Sequence, residues 1–145
     1  MSGRDRRTIR DQRGSATVEL TVLVPALLLM LGLLVSGGRL WFARTTINEA
    51  AQTSARAASL ARTAPQAAAA GREAGTQSMS TAGLRCTSSA VTISTAAFSA
   101  PVGTPATITS IIRCQVKLSE LLPGAPGLVQ LTGRGAAALD TYRMR

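Results

Sequence analysis

The polar and apolar positions of the 145-residue chain change rhythm four times, and each change marks an expected element. After Glu19 no charged residue occurs until Arg39, and the stretch between is dominated by Leu, Val, Ala and Gly. A helix of roughly 19 such residues, at ~1.5 Å rise each, matches the ~30 Å hydrocarbon core of a bilayer. Residues 15–38 therefore predict a single membrane-spanning helix, in which Pro25 is expected to kink the backbone. From Leu40 to Ala61 there is neither proline nor glycine, and Ile47, Ala51, Ser54, Ala58 and Ala61 recur at steps of three or four. Arg44, Asn48, Gln52, Arg56 and Arg62 fall largely elsewhere, so residues 39–63 predict a helical extension with one small-residue face.

Pro65 to Gly83 is rich in Ala, Gly, Ser and Gln, with Gly71 and Gly75 as weak points, which predicts a short second helix and a loop over residues 64–85. Beyond Cys86 the period becomes two. Val91 and Ile93 alternate with Thr92 and Ser94, while Cys114, Val116 and Leu118 alternate with Arg113, Gln115, Lys117 and Ser119. Thr107 to Glu120, rich in β-branched residues, is the strongest strand, and Pro101, Gly103 and Pro105 set it off from the first as a hairpin-like pair. Pro123 to Gly127 make a turn, and Leu128 to Leu139 is a further apolar run interrupted by Gly133 and Gly135. The expected fold is α+β: one N-terminal transmembrane helix continuing into a long helix that packs on a small antiparallel sheet, with residues 86–145 as the β-rich domain.

Composition constrains what this fold does. Only Trp41, Phe42, Phe98 and Tyr142 are aromatic, so the core rests on small aliphatic side chains. Trp41 and Phe42, just after the apolar run, suit the headgroup level of a membrane. The net charge of +9 is uneven: Arg4, Arg6, Arg7, Arg10 and Arg13 crowd the first 14 residues against Asp5 and Asp11. Clustering beside a membrane span places residues 1–14 as a cytoplasmic leader and the C-terminal domain outside the cell. The later basic residues are scattered, without the interleaved aromatics of a nucleic-acid groove, so no nucleic-acid partner is expected.

Histidine is absent, and Glu49, Glu73, Glu120 and Asp140 are dispersed. No nucleophile-base set, metal-ligand spacing or glycine-rich phosphate loop is evident, so the expectation is a non-enzyme with no metal, no cofactor and no small-molecule substrate. Cys86 and Cys114 form an even pair in the segment assigned to the outside, where a disulfide is the default reading and two buried free thiols the alternative.

The polar leader ends in Gly14-Ser15, before rather than after the apolar run, which reverses the order of an ordinary secretory signal. Gly14, Ser15 and Glu19, followed by a long apolar helix, resemble the type IV prepilin signal. Within that class Gly-Ser-Ala-Thr-Val-Glu-Leu, the Ala-rich continuation and the closing Leu-Asp-Thr-Tyr-Arg resemble the TadE-like minor pseudopilins of the tight-adherence, or Flp pilus, system. Leu20 stands where the major Flp pilins usually carry tyrosine, which points to a minor component. The resemblance implies cleavage between Gly14 and Ser15 by a prepilin peptidase, an assembly role for Glu19, and lateral contact with other pilins or pseudopilins in membrane lipid. Glu19 also has a plainer reading as an interfacial carboxylate favouring the positive end of its helix. Two other identities fit parts of the pattern: a secreted protein cut near Ser36-Gly37-Gly38, and an anchored envelope domain with no cleavage.

Overall fold

The computed structural model describes residues 12–101 and 103–139, with side chains from Glu19 onward. The leader up to Asp11 and the segment 140–145, which includes Asp140 and Tyr142, lie outside the described residues. The chain divides into two units, Met1–Gly38 and Arg39–Arg145, and helix α1, Gln12–Leu60, contributes to both.

In the first unit α1 carries Pro25 inside it, and every residue from Glu19 to Val35 is exposed. One 18-residue window reaches a mean hydropathy of 2.4 with none of it buried, so this helix is long and apolar enough to cross a membrane. A core helix of a water-soluble domain would bury such a face.

The second unit is a two-layer α+β arrangement. Its sheet has three antiparallel strands in the order β1 (Ser88–Ile93), β2 (Ala106–Lys117), β3 (Leu128–Leu139). A 3-10 turn at Ala96–Ser99 lies between β1 and β2, and a one-turn helix α3, Leu118–Leu121, between β2 and β3. Leu118 thus begins α3 instead of continuing the alternation of β2, because Lys117 is the last residue paired, with Leu128. Along β2 the even residues Ile108, Ser110, Ile112, Cys114 and Val116 are buried and Thr107, Thr109, Arg113 and Lys117 exposed, the alternation expected when one face carries the core.

The C-terminal part of α1 supplies the opposing layer through Ala43, Ile47, Ala50, Ala51, Ser54, Ala55 and Ala58, all buried. This extends the face read from the three-four spacing by Ala43, Ala50 and Ala55. Arg44, Asn48, Gln52, Arg56 and Arg62 are exposed, as that spacing predicts.

Helix α2 is longer than the sequence suggests, covering Ala64–Thr81 in place of a short helix and a loop. Its start is set by Thr63, whose side chain accepts from the Gln66 N–H, and by Pro65 in the first turn. Its end is a Schellman closure. Gly83 adopts φ +73°, its N–H donates to the Ser80 carbonyl, and the Leu84 N–H donates to the Met79 carbonyl. Met79 and Leu84 meet in the same core cluster, which completes the motif.

Gly71 and Gly75 do not break α2 because contact with its neighbours outweighs their propensity. A Cβ on Gly71 would lie 2.8 Å from Ile93 Cδ1 and 3.2 Å from Ala58 Cβ, and one on Gly75 would lie 3.1 Å from Ile112 Cδ1. Both are points where α2 meets α1 and the sheet, and a side chain there requires a neighbour to give way.

Candidate functional site

The residues assigned to cleavage and assembly lie at the start of α1. Gly14 and Ser15 belong to its first turn, and Glu19 follows one turn later. Four residues of helix advance ~6 Å and return to nearly the same face, so Ser15 and Glu19 share one side of α1. Glu19 is exposed, and no ion pair or hydrogen bond holds its carboxylate among the described residues. Immediately after it comes the uncovered apolar surface, with Leu29 and Leu33 each 76% exposed. A contiguous apolar surface of this extent marks contact with lipid or with other apolar helices. A Cβ added at Gly32, Gly37 or Gly38 would meet no heavy atom within 4 Å, so the helix surface is open there too.

Trp41 and Phe42 open the second unit and are exposed, at 70% and 58%. Large rings left uncovered beside an apolar helix fit the interfacial role expected of them.

Farther along α1 three features that the spacing did not reveal tie the helix to the sheet. A Cβ on Gly133 or Gly135 would collide with the Ile47 and Ala51 carbonyl groups, so these two glycines let the backbone of α1 come down directly on β3. Asn48 Oδ1 accepts from the Arg134 N–H and Gln52 Oε1 from the Ala136 N–H. The third feature is buried: Ser110 Oγ donates to Ser54 Oγ at 2.9 Å, and Ser54 Oγ donates to the Gly71 carbonyl at 2.7 Å, joining β2, α1 and α2 in one chain of hydrogen bonds. A Gly-x-Gly alternation inside an otherwise apolar strand and the four-residue step from Asn48 to Gln52 are the signals that carry the first two. Ser54 was visible only as a small residue on the buried face.

Cys86 and Cys114 form a disulfide with Cα atoms 5.4 Å apart. Cys114 is fully buried in the second half of β2 and Cys86 half-buried just before β1, so the bond fastens the incoming chain to the middle strand.

The arrangement defines an α+β protein with one membrane-capable N-terminal helix and a disulfide-braced domain. Over residues 14–56 the chain matches the model of the TadE-like protein family, which bears out the resemblance to that family read from Gly-Ser-Ala-Thr-Val-Glu-Leu, while the closing Leu-Asp-Thr-Tyr-Arg lies outside the match. No curated protein and no solved structure matches the chain. The TadE-like segment covers the membrane-capable helix and the first part of the helical extension.

Proposed function

We propose that the protein is a minor pseudopilin of the tight-adherence pilus, a non-enzymatic, single-pass membrane component that enters or primes the filament through its N-terminal helix. The observation that carries this reading is a lone carboxylate, Glu19, without a partner among the described residues, one helical turn after Gly14-Ser15 and directly before an exposed apolar surface, all inside the TadE-like segment. A prepilin peptidase acting from the cytoplasm hydrolyses the Gly14–Ser15 peptide bond. Water adds across it, leaving a carboxylate on Gly14 and a new α-amino group on Ser15. Glycine admits the backbone to a narrow protease cleft, and the first turn of a helix opens at small cost.

The new cation and Glu19 are then the two charges at the edge of the hydrocarbon. A carboxylate in that setting is stabilised by an opposite charge, and an ammonium on a neighbouring pilin helix supplies one. Pairing of this kind sets the register between helices that otherwise contact each other only through apolar side chains. The leader arginines hold the N-terminus in the cytoplasm and the disulfide-braced domain outside.

Glu19→Ala tests the assembly role. The variant is expected to reach the membrane in normal amount while pilus output falls at least about tenfold, the loss of one charge pair at close range. Unchanged pilus output from cells that carry only the variant contradicts the role given to Glu19.

A further inference from the structure

The sheet has two edges, and the fold treats them differently. At the β3 edge the outward N–H groups of Arg134 and Ala136 donate to Asn48 and Gln52, and the α1 backbone rests on Gly133 and Gly135. A helix with two side-chain acceptors covers that edge, a common way of keeping a strand from pairing further.

Strand β1 forms the other edge. The Ser94 N–H donates to the Thr109 carbonyl at 2.8 Å, and the register continues through Thr92 with Ile111 and Ala90 with Arg113. Alternation in an antiparallel ladder then turns the main-chain groups of Ser89, Val91 and Ile93 away from β2. Among the described residues no strand and no hydrogen bond meets them on that side. Ser88, Ser89, Ala90 and Thr92 are exposed, and β1 contains neither the lysine nor the proline that blunts solitary edges.

Charge indicates the occupant. From Arg39 onward the chain has eleven Lys and Arg against four Asp and Glu, so two copies repel over most of their surface. No charged residue occurs from Cys86 to Ile112, so β1 itself carries no charge, and Arg113, paired with Ala90, stands one strand in from the edge. An antiparallel edge is also its own complement, because a two-fold axis through the sheet sets each outward N–H opposite an outward carbonyl. We propose that β1 of one copy pairs antiparallel with β1 of a second copy, joining two three-stranded sheets into one of six with the covered β3 edges outermost.

The test uses the full chain in detergent or nanodiscs, with sedimentation for the oligomeric state and amide hydrogen exchange for the edge. The parent protein is expected to be dimeric, with the Ser89, Val91 and Ile93 amides protected. Ser89→Lys adds a cation at each end of the junction, opposite Ile93 of the other copy, and Ser89→Pro removes one outward donor without removing a bond to β2. Each is expected to weaken dimerisation by about tenfold or more, while Gln130→Lys on the exposed face of β3 does not. Since apolar helices also associate in detergent, sensitivity to the edge variants and protection of the three amides are the diagnostic readouts. A monomeric parent overturns the proposal. So does a dimer whose three edge amides exchange freely, a result that stands whether or not the variants fold.

Discussion

At the level of single residues, the distance between two backbones determines which glycines tolerate a methyl group. Gly133 and Gly135 face main-chain carbonyls of α1, which move only if the whole helix moves. Gly133→Ala is therefore expected to destabilise the domain by about 1–3 kcal/mol or more. Gly71 presents a milder case: its added methyl meets the end of the Ile93 side chain, half-buried at the sheet edge, and the Ala58 Cβ at 3.2 Å, which has to give by only a few tenths of an ångström. Alanine also favours a helix interior by about 1 kcal/mol over glycine, so Gly71→Ala is expected to lie close to neutral. Chemical denaturation of the two variants side by side checks the contrast, and equal losses would contradict it. The same logic explains why Gly71 and Gly75 looked like weak points in the sequence. Propensity was legible there, but the surface of Ala58, Ile93 and Ile112 against which α2 closes was not.

Among the elements, the disulfide is the strongest brace for a domain whose buried side chains are mostly alanine, serine and small aliphatics. Cys86 and Cys114 are 28 residues apart, and closing a loop of that size stabilises by about 3–4 kcal/mol in the chain-entropy model. Reduction is thus expected to lower the melting temperature by roughly 15–25 °C for a domain of this size. Thermal unfolding with and without a reductant measures the shift, and no shift would show that the core holds without the bond. The elements themselves were legible to different degrees. Strand β2 showed its period of two from Arg113 to Lys117, because one face is buried and the other wet, and the same alternation carried one step too far at Leu118. Helix α2 was seen only in part, since its limits depend on the Thr63 cap and the Gly83 turn, local hydrogen-bonding features that leave no period. The direct approach of α1 to β3 was hidden for another reason. Two glycines in a strand read as interruptions until a backbone is found lying against them.

At the scale of the whole molecule, one asymmetry dominates. The second unit buries its apolar residues, whereas the first leaves Leu20 through Val35 exposed, a surface stable only in lipid or against other apolar helices. The lone Glu19 and the Gly14-Ser15 junction were visible in the chain because a polar residue in an apolar run and a small pair before it stand out without any tertiary context. Which helices α1 meets depends on surfaces of other molecules, and no residue of this chain encodes their identity. The proposed function requires that trimming remove the polar leader and keep the apolar helix. Intact-mass and N-terminal analysis of the protein recovered from cell membranes decides this. A chain that begins at Ser15 and retains everything after it is expected; a chain released into the medium and beginning near Gly38, or a membrane-bound chain still beginning at Met1 or Ser2, would overturn the proposal.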